Sequence, residues 1–149
     1  MHTVNVRRAV AAPTDEVFDW VVDGRNWAKV PGIIYARVRT VDGPEPFGVG
    51  SIREFLSSGS KVTEVVTGFE RPNFMSYKAL STIPPSHHDG GSMTFREIPG
   101  GTEVVCSSSF EATTPMLAGF VTWLYGHGVA LGFRMILRTA ERALTSTRG

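Results

Sequence analysis

The sequence predicts an α+β domain in which a seven-stranded, antiparallel, curved sheet grips one long C-terminal helix, with two short helices after the first strand. Three observations lead there. Between clear turn signals, most of the middle of the chain alternates apolar and polar residues with period two, the mark of half-buried strands. The strand-like runs succeed one another through short turns, which makes neighbours antiparallel. From Met116 to Phe133 there is no Asp, Glu, Lys or Arg, as expected of a helix that a sheet wraps on several sides.

Each element has its own signal. Val4, Val6 and Val10 alternate with Asn5 and Arg7 to give a first strand, with Arg8 on the valine face. Pro13 opens a helix where a missing N–H costs nothing, Asp15 and Glu16 favour its positive end, and Val17, Trp20 and Val21 form its apolar stripe. A short second helix, Arg25 to Val30, contains Trp27 and ends at Pro31-Gly32. Ile34, Ala36 and Val38 then alternate with Tyr35, Arg37 and Arg39, a strand with its basic face in water. Asp42-Gly43-Pro44-Glu45-Pro46 reads as a loop. Further strand-like runs come at Ser51–Ser57, Lys61–Phe69, Phe74–Ser81, Ser92–Ile98 and Thr102–Ala112. Turns separate them at Ser58-Gly59, Arg71-Pro72-Asn73, the longer stretch Ile83–Gly91, and Pro99-Gly100-Gly101. Thr114 is a natural N-cap for a helix that starts at Pro115 and runs to about Leu144.

Bulk properties bound the function. The chain has 149 residues, 42% hydrophobic and 19% charged, which suits a single domain over 1–149 with a substantial core. Fifteen basic and fourteen acidic residues nearly cancel, and there is no Lys/Arg run, so a nucleic-acid footprint is absent. The one cysteine, Cys106, cannot form an internal disulfide or a cysteine-rich zinc site. With no signal-peptide core at the N-terminus, the expected compartment is the reducing cytoplasm. The apolar segment reaches the lower length limit for a membrane span, and Gly128-xxx-Gly132 matches a membrane packing motif. His127 within it and Arg134 just after it favour a buried helix instead.

Several landmarks carry a resemblance. They are Ala11-Ala12-Pro13-x-x-x-Val17-Phe18, Trp27-x-x-x-Pro31-Gly32, Gly50-x-x-Arg53, Glu64, Tyr77, Gly101-Thr102-x-Val104 and Phe110. In this order and spacing the chain resembles the START-like (SRPBCC, helix-grip) superfamily, and especially its polyketide cyclase/dehydratase branch. Cys106 stands where many relatives carry tryptophan. The resemblance implies the fold above and an internal pocket; its members are mostly binding proteins, with some cyclases, aromatases and dehydratases.

Among candidate site residues, Arg53 and Glu64 come first. A two-residue Ser58-Gly59 loop sets Arg53 opposite Glu64, Phe55 opposite Val62 and Ser51 opposite Val66, on one face. A three-residue loop would put Ile52 opposite Glu64 instead. An inward Arg–Glu pair is either an anchor for a ligand's carboxylate, carbonyl or phenol, or a structural cross-strand pair. His87, His88 and Asp89 invite acid–base or metal chemistry. Adjacent residues of an extended segment point to opposite sides, so the two histidines do not chelate together. The stretch reads as a solvated loop or as a lip at a pocket mouth with one histidine facing in.

Gly126, Gly128 and Gly132 each weaken the last helix by about 1 kcal/mol relative to alanine. Either a neighbour packs closely there, the favoured reading, or they leave room for a ligand. Trp123, Tyr125 and His127 line the cavity or fill it. Tyr77, Met93, Phe95, Cys106 and Phe110 are candidate pocket walls, with a Gly100-Gly101 turn setting Phe95 opposite Cys106 and Met93 opposite Ser108. Arg53, Tyr77 and His88 are the candidates for catalysis. There is no GxSxG, HExxH, P-loop, GxGxxG after a strand, or CxxC motif, and no metal or cofactor is expected.

The expected function is binding of a small hydrophobic or aromatic molecule, polyketide- or lipid-like, in a cavity between sheet and helix. The expected ligand-binding residues are Arg53, Phe55, Glu64, Tyr77, Met93, Phe95, Cys106, Phe110, Trp123 and His127. An aromatase/cyclase or dehydratase using the same cavity is the second reading. A homodimer or partner interface on the glycine-rich helix is the third.

Overall fold

A computed structural model describes residues 2–57, 60–83, 85–112 and 118–146, with side chains described outside 111–126 and 146. The Ser58-Gly59 turn, the Thr114 cap, the helix start at Pro115 and the side chains of Trp123 and Tyr125 lie outside these described residues. The elements run β1 (His2–Val10), α1 (Thr14–Val22), a 3-10 helix (Gly24–Lys29), β2 (Ile33–Arg39), β3 (Ile52–Ser57), β4 (Ser60–Glu70), β5 (Phe74–Ile83), β6 (Ser86–Ile98), β7 (Gly101–Ala112) and α2 (Ala118–Ser146). One antiparallel sheet holds all seven strands in the order β1-β7-β6-β5-β4-β3-β2. Among the described residues, no helix is long and apolar enough to cross a membrane.

The inner face of the sheet is shared by the two α-helices. Val4, Val6 and Val10 of β1 are buried, and Arg8 on the same face reaches Glu141 of α2 at 2.9 Å. The other Glu141 oxygen accepts from the Ala11 backbone N–H at 3.0 Å. One carboxylate therefore fastens α2 to the strand and to its exit. Further contact comes from Phe133, Ile136, Leu137 and Ala140, a helical i, i+3, i+4, i+7 stripe that is buried. Val17, Phe18, Trp20, Val21 and Val22 bury α1. Phe18 meets Phe69 and Phe95 edge-on, with centroids 5.2 and 5.0 Å apart.

Local chemistry moved several boundaries from their expected places. Pro13 is the N-cap rather than the first helical residue, and its carbonyl accepts from Val17 N–H at 3.0 Å. The second helix starts at Gly24, because the Asp23 carboxylate caps the Arg25 N–H and fixes a tighter 3-10 winding. In β2 a register shift between Ile33 and Tyr35 breaks the alternation. Ile33 packs on the core while Ile34, expected inward, is turned out to solvent. β6 begins at Ser86, so most of the expected Ile83–Gly91 loop is strand.

The β6–β7 turn is Pro99-Gly100, not Gly100-Gly101, since Ile98 pairs with Gly101. Gly100 supplies the positive φ of +82° that the turn needs. Met93 therefore faces Cys106 and Phe95 faces Val104. The shift from the expected partners is an even number of residues, so every side chain keeps its face. Gly101 has a separate reason to be glycine: a Cβ there would collide with the Val10 carbonyl oxygen. We expect Gly101→Ala to cost about 1–3 kcal/mol, the usual range for forced overpacking. Urea denaturation checks this, and an unchanged midpoint would contradict the close approach.

Candidate functional site

Side chains on the inner face stand in rows across the strands, and two rows concern the site. Arg53, Glu64, Ala79, His88 and Phe110 form the first, through the pairs Arg53↔Glu64, Glu64↔Ala79 and His88↔Phe110. The Ala79 N–H bonded to the His88 ring closes the gap between β5 and β6. Ser51, Val66, Tyr77, Gly91 and Ser108 form the second row, with Val66↔Tyr77, Tyr77↔Gly91 and Gly91↔Ser108 as direct partners.

Arg53 and Glu64 are hydrogen-bonded through Nη2 and Oε1 and are both buried, 1% and 4% exposed. The Arg53 guanidinium carbon lies 4.8 Å from the Trp27 ring centre, 5.4 Å from Tyr77 and 5.5 Å from Phe55. Three ring faces thus stand in for part of the cation's lost hydration, while its Nε and Nη1 have no hydrogen-bond partner among the described residues. Gly24 of the 3-10 helix makes room for this, since a Cβ there would press on the Arg53 stem and Phe55 at 3.2 Å. Burial pushes the Glu64 carboxyl above the usual carboxylate range, and the Arg53 charge opposes that rise.

His88 is turned inward by a bulge. The β6–β7 register shifts between His88 and Gly90, and Gly90 has a φ of +134°, so Asp89 is the extra residue. The His88 Nδ1 accepts from the Ala79 N–H at 3.0 Å, and its Nε2 lies 2.9 Å from Ser108 Oγ. An N–H donor at Nδ1 requires the tautomer with its proton on Nε2, so Nε2–H donates to Ser108. The ring also stacks on Tyr77 at 5.7 Å and 18°. Burial lowers its pKa, helped by Lys78 and His87 and opposed by Asp89. Its neighbour His87 is exposed and faces Asp89 at 3.3 Å.

Tyr77 is buried, and desolvation beside Glu64 pushes its phenol far above the ordinary range. The hydroxyl lies over Gly91, whose partner on β7 is Ser108. The absent side chain at Gly91 makes this possible, because a Cβ there would overlap the end of the Tyr77 ring.

These side chains wall a cavity of about 710 Å³ between the sheet and the middle of α2, from His127 to Ile136. Phe55, Glu64, Tyr77, Phe110 and His127 all line it, and so does His88. Arg53 sits behind Glu64, off the wall. Met93, Phe95 and Cys106 are buried one and two rows further along the sheet, in the part of the core where α1 packs. Burial pushes the Cys106 thiol up to about 12, which removes it as a nucleophile near neutral pH. The Trp123 side chain lies outside the described residues.

Close packing at Gly128 and Gly132 is overturned. A Cβ at either would meet no described residue within 4 Å, and both line the cavity. Sequence reasoning missed Ser108 and Gly91 as site residues. The period-two spacing from Phe110 through Ser108 to Cys106 was the available signal for the serine.

The wall generates two expected outcomes. His88 protonation requires the loss of the Ala79 bond, so stability from the neutral ring is complete above about pH 6.5 and is lost as pH falls below that, through the lower folded value. A ¹⁵N NMR titration should find an Nε2–H tautomer with a midpoint below about 6.5; a higher midpoint contradicts the assignment. Glu64→Ala should cost about 3–5 kcal/mol by stranding a buried cation. The double change Arg53→Met/Glu64→Leu should cost far less, and equal losses in urea denaturation would contradict the desolvated pair.

The comparisons agree with this architecture. Residues 1–142 match the family model described as polyketide cyclase / dehydrase and lipid transport. No curated protein sequence matches the chain. Among solved structures, TTHA0849 from Thermus thermophilus is similar with a TM-score of 0.81 at 15% identity, covering 99% of this chain and 100% of that one. The Zhui aromatase/cyclase from Streptomyces sp. R1128 gives 0.74 at 15%, covering 95% and 94%. Protein Ms6760 from Mycobacterium smegmatis gives 0.68 at 21%, covering 97% and 92%. At such identities the likeness shows the shared helix-grip fold. With the family model spanning almost its whole length, the chain belongs to the polyketide cyclase/dehydrase and lipid transport family of the START-like superfamily.

Proposed function

We propose that this protein binds a small hydrophobic or aromatic molecule, polyketide- or lipid-like, in the hollow between the sheet and α2. The observation that carries this reading is the pair Gly128 and Gly132. Each weakens the helix by about 1 kcal/mol, yet among the described residues nothing packs where a Cβ would stand. Their absent side chains enlarge a cavity walled mainly by Trp27, Val30, Phe55, Val62, Phe110, Phe133 and Ile136. Its volume of about 710 Å³ falls within the range of small-molecule sites. The free, buried cysteine fits the reducing cytoplasm as the place of action.

A catalytic variant of the same reading, an aromatase/cyclase or dehydratase, draws support from one feature. The neutral His88, Ser108 and Tyr77 form a polar group in a mostly apolar wall, which supports proton transfer to a bound polyketone. The dimer reading has less support, because the glycine face lines the hollow.

The test is titration with the neutral fluorescent probe N-phenyl-1-naphthylamine. Binding to the native chain should weaken at least tenfold in Gly132→Leu, which fills the hollow. Gly132→Ala should raise helix stability by about 1 kcal/mol. Native mass spectrometry of freshly purified protein should show a co-purified small molecule. Undiminished probe binding by Gly132→Leu would count against the cavity as the site.

A further inference from the structure

Resting on that reading, one stretch of the cavity wall is split where the rest of the sheet is continuous. β5 and β6 pair only from Phe74↔Thr94 to Tyr77↔Gly91. Beyond that point both chains remain strands, β5 paired with β4 as far as Ile83 and β6 paired with β7 from Ser86. No ladder joins them to each other there among the described residues. Two bulges account for the parting. Leu80 is the extra residue in β5, since Thr63 pairs with Ser81 and Glu64 with Ala79; Asp89 is the extra residue in β6. A bulge bends its strand, and here the two bends face each other across one slit. Thr82 Oγ1 and Ser86 Oγ, 2.7 Å apart, close its far end. Midway, the Ala79 N–H donates to His88 Nδ1 and ties the two strands together. Hollows lie on both sides. Tyr77, Ala79, Thr82 and His88 line the inner cavity, while Tyr77, Lys78, Asp89, Gly90 and Gly91 line a groove on the outer face.

We propose that His88 is a latch on this slit: the neutral ring ties β5 to β6, and protonation frees the Ala79 N–H, so that the strands part and the hydrophobic ligand leaves through the sheet. Protonation acts on one side of the ring only. Nε2–H donates to Ser108 in both states, while Nδ1 turns from acceptor to donor and meets the Ala79 N–H head-on. β6 keeps the ring and β5 loses it. The groups that set the transition surround the slit. Burial opposes a charge on the ring, Asp89 favours it, and Lys78 of β5 and His87 oppose it. Tyr77 stacks on the ring, Glu64 of β4 pairs with Ala79, and His127 of α2 lines the same hollow. From β7 the histidine meets Ser108 and Phe110, which do not titrate. The latch is therefore shut at neutral pH and opens as pH falls below about 6.5.

Two measurements on the native chain test the latch, with N-phenyl-1-naphthylamine as the bound probe. Its dissociation rate, followed by stopped-flow fluorescence from neutral pH downward, should rise about tenfold, the worth of one hydrogen bond. The midpoint should be that of the His88 ¹⁵N titration. Amide hydrogen exchange, corrected for the intrinsic effect of pH, should lose protection at Ala79 over the same range. Met75 and Met93, in the sealed part of the sheet, should keep theirs. In His88→Asn, whose side chain does not titrate, the ratio of acid to neutral rates should fall to near one, whatever the neutral rate. A flat release profile, a midpoint apart from that of His88, or acceleration kept in His88→Asn overturns the latch and leaves the cavity reading intact. So does protection kept at Ala79 while release accelerates, or protection lost equally at Met75 and Met93. No probe binding at neutral pH overturns both.

Discussion

Two helices share the inner face of one sheet, and α2 is fastened to it through its C-terminal half. The C-terminal half of α2 is tied to β1 by Arg8–Glu141 and by the stripe Phe133, Ile136, Leu137 and Ala140. α1 covers the rows that hold Phe95 and its neighbours. The front of α2, from His127 to Gly132, stands over the remaining two rows without filling the space beneath. A sheet this curved cannot be covered along its whole length by one straight helix, because side-chain packing needs elements roughly 10 Å apart and curvature opens that gap. The hollow is thus a consequence of where α2 is fastened.

The same geometry decides the chemistry of the wall. Rows under α1 are sealed, and they hold apolar side chains such as Met75, Met93, Phe95 and Val104. Rows under the hollow hold Arg53, Glu64, Tyr77, His88 and Ser108. Polar groups there must be paired or pay desolvation in full. Most have an answer: Glu64 bonds Arg53, three rings cover the guanidinium, and His88 bonds a backbone N–H and Ser108. These pairings contribute little net stability beyond what an apolar wall would give. What they add is direction, since each fixes which way a donor or acceptor points.

Much of this was legible in the sequence, but unevenly. Alternation shows which face a residue takes, and Arg53 faces Glu64 in the same register in which Ser57 pairs with Ser60. Alternation does not show which helix lies above a given row. Met93, Phe95 and Cys106 therefore read as pocket wall when they belong to the part of the sheet that α1 covers. His88 and Ile34 depended on bulges, and a bulge inverts the face of the residues beyond it without any strong local signal. The glycines of α2 announced an energetic cost whose cause only the surrounding space could identify. Interiors are usually full, which favours close packing as the cause; here no described residue fills the space at Gly128 or Gly132.

A fold shared with proteins of 15–21% identity constrains the rows but not their occupants. The register fixes that side chains from neighbouring strands meet in a line across the hollow. It does not fix that the second line carries glycine at position 91. That one absence lets the Tyr77 ring lie over β6 at Gly91, the strand partner of Ser108. With any larger residue there, the ring would be pushed aside. The shape of the wall therefore depends on a position with no side chain, held between two strands whose pairing keeps it in place. Function in this chain is written as much by the atoms omitted at Gly91, Gly128 and Gly132 as by those supplied at Tyr77 and His88.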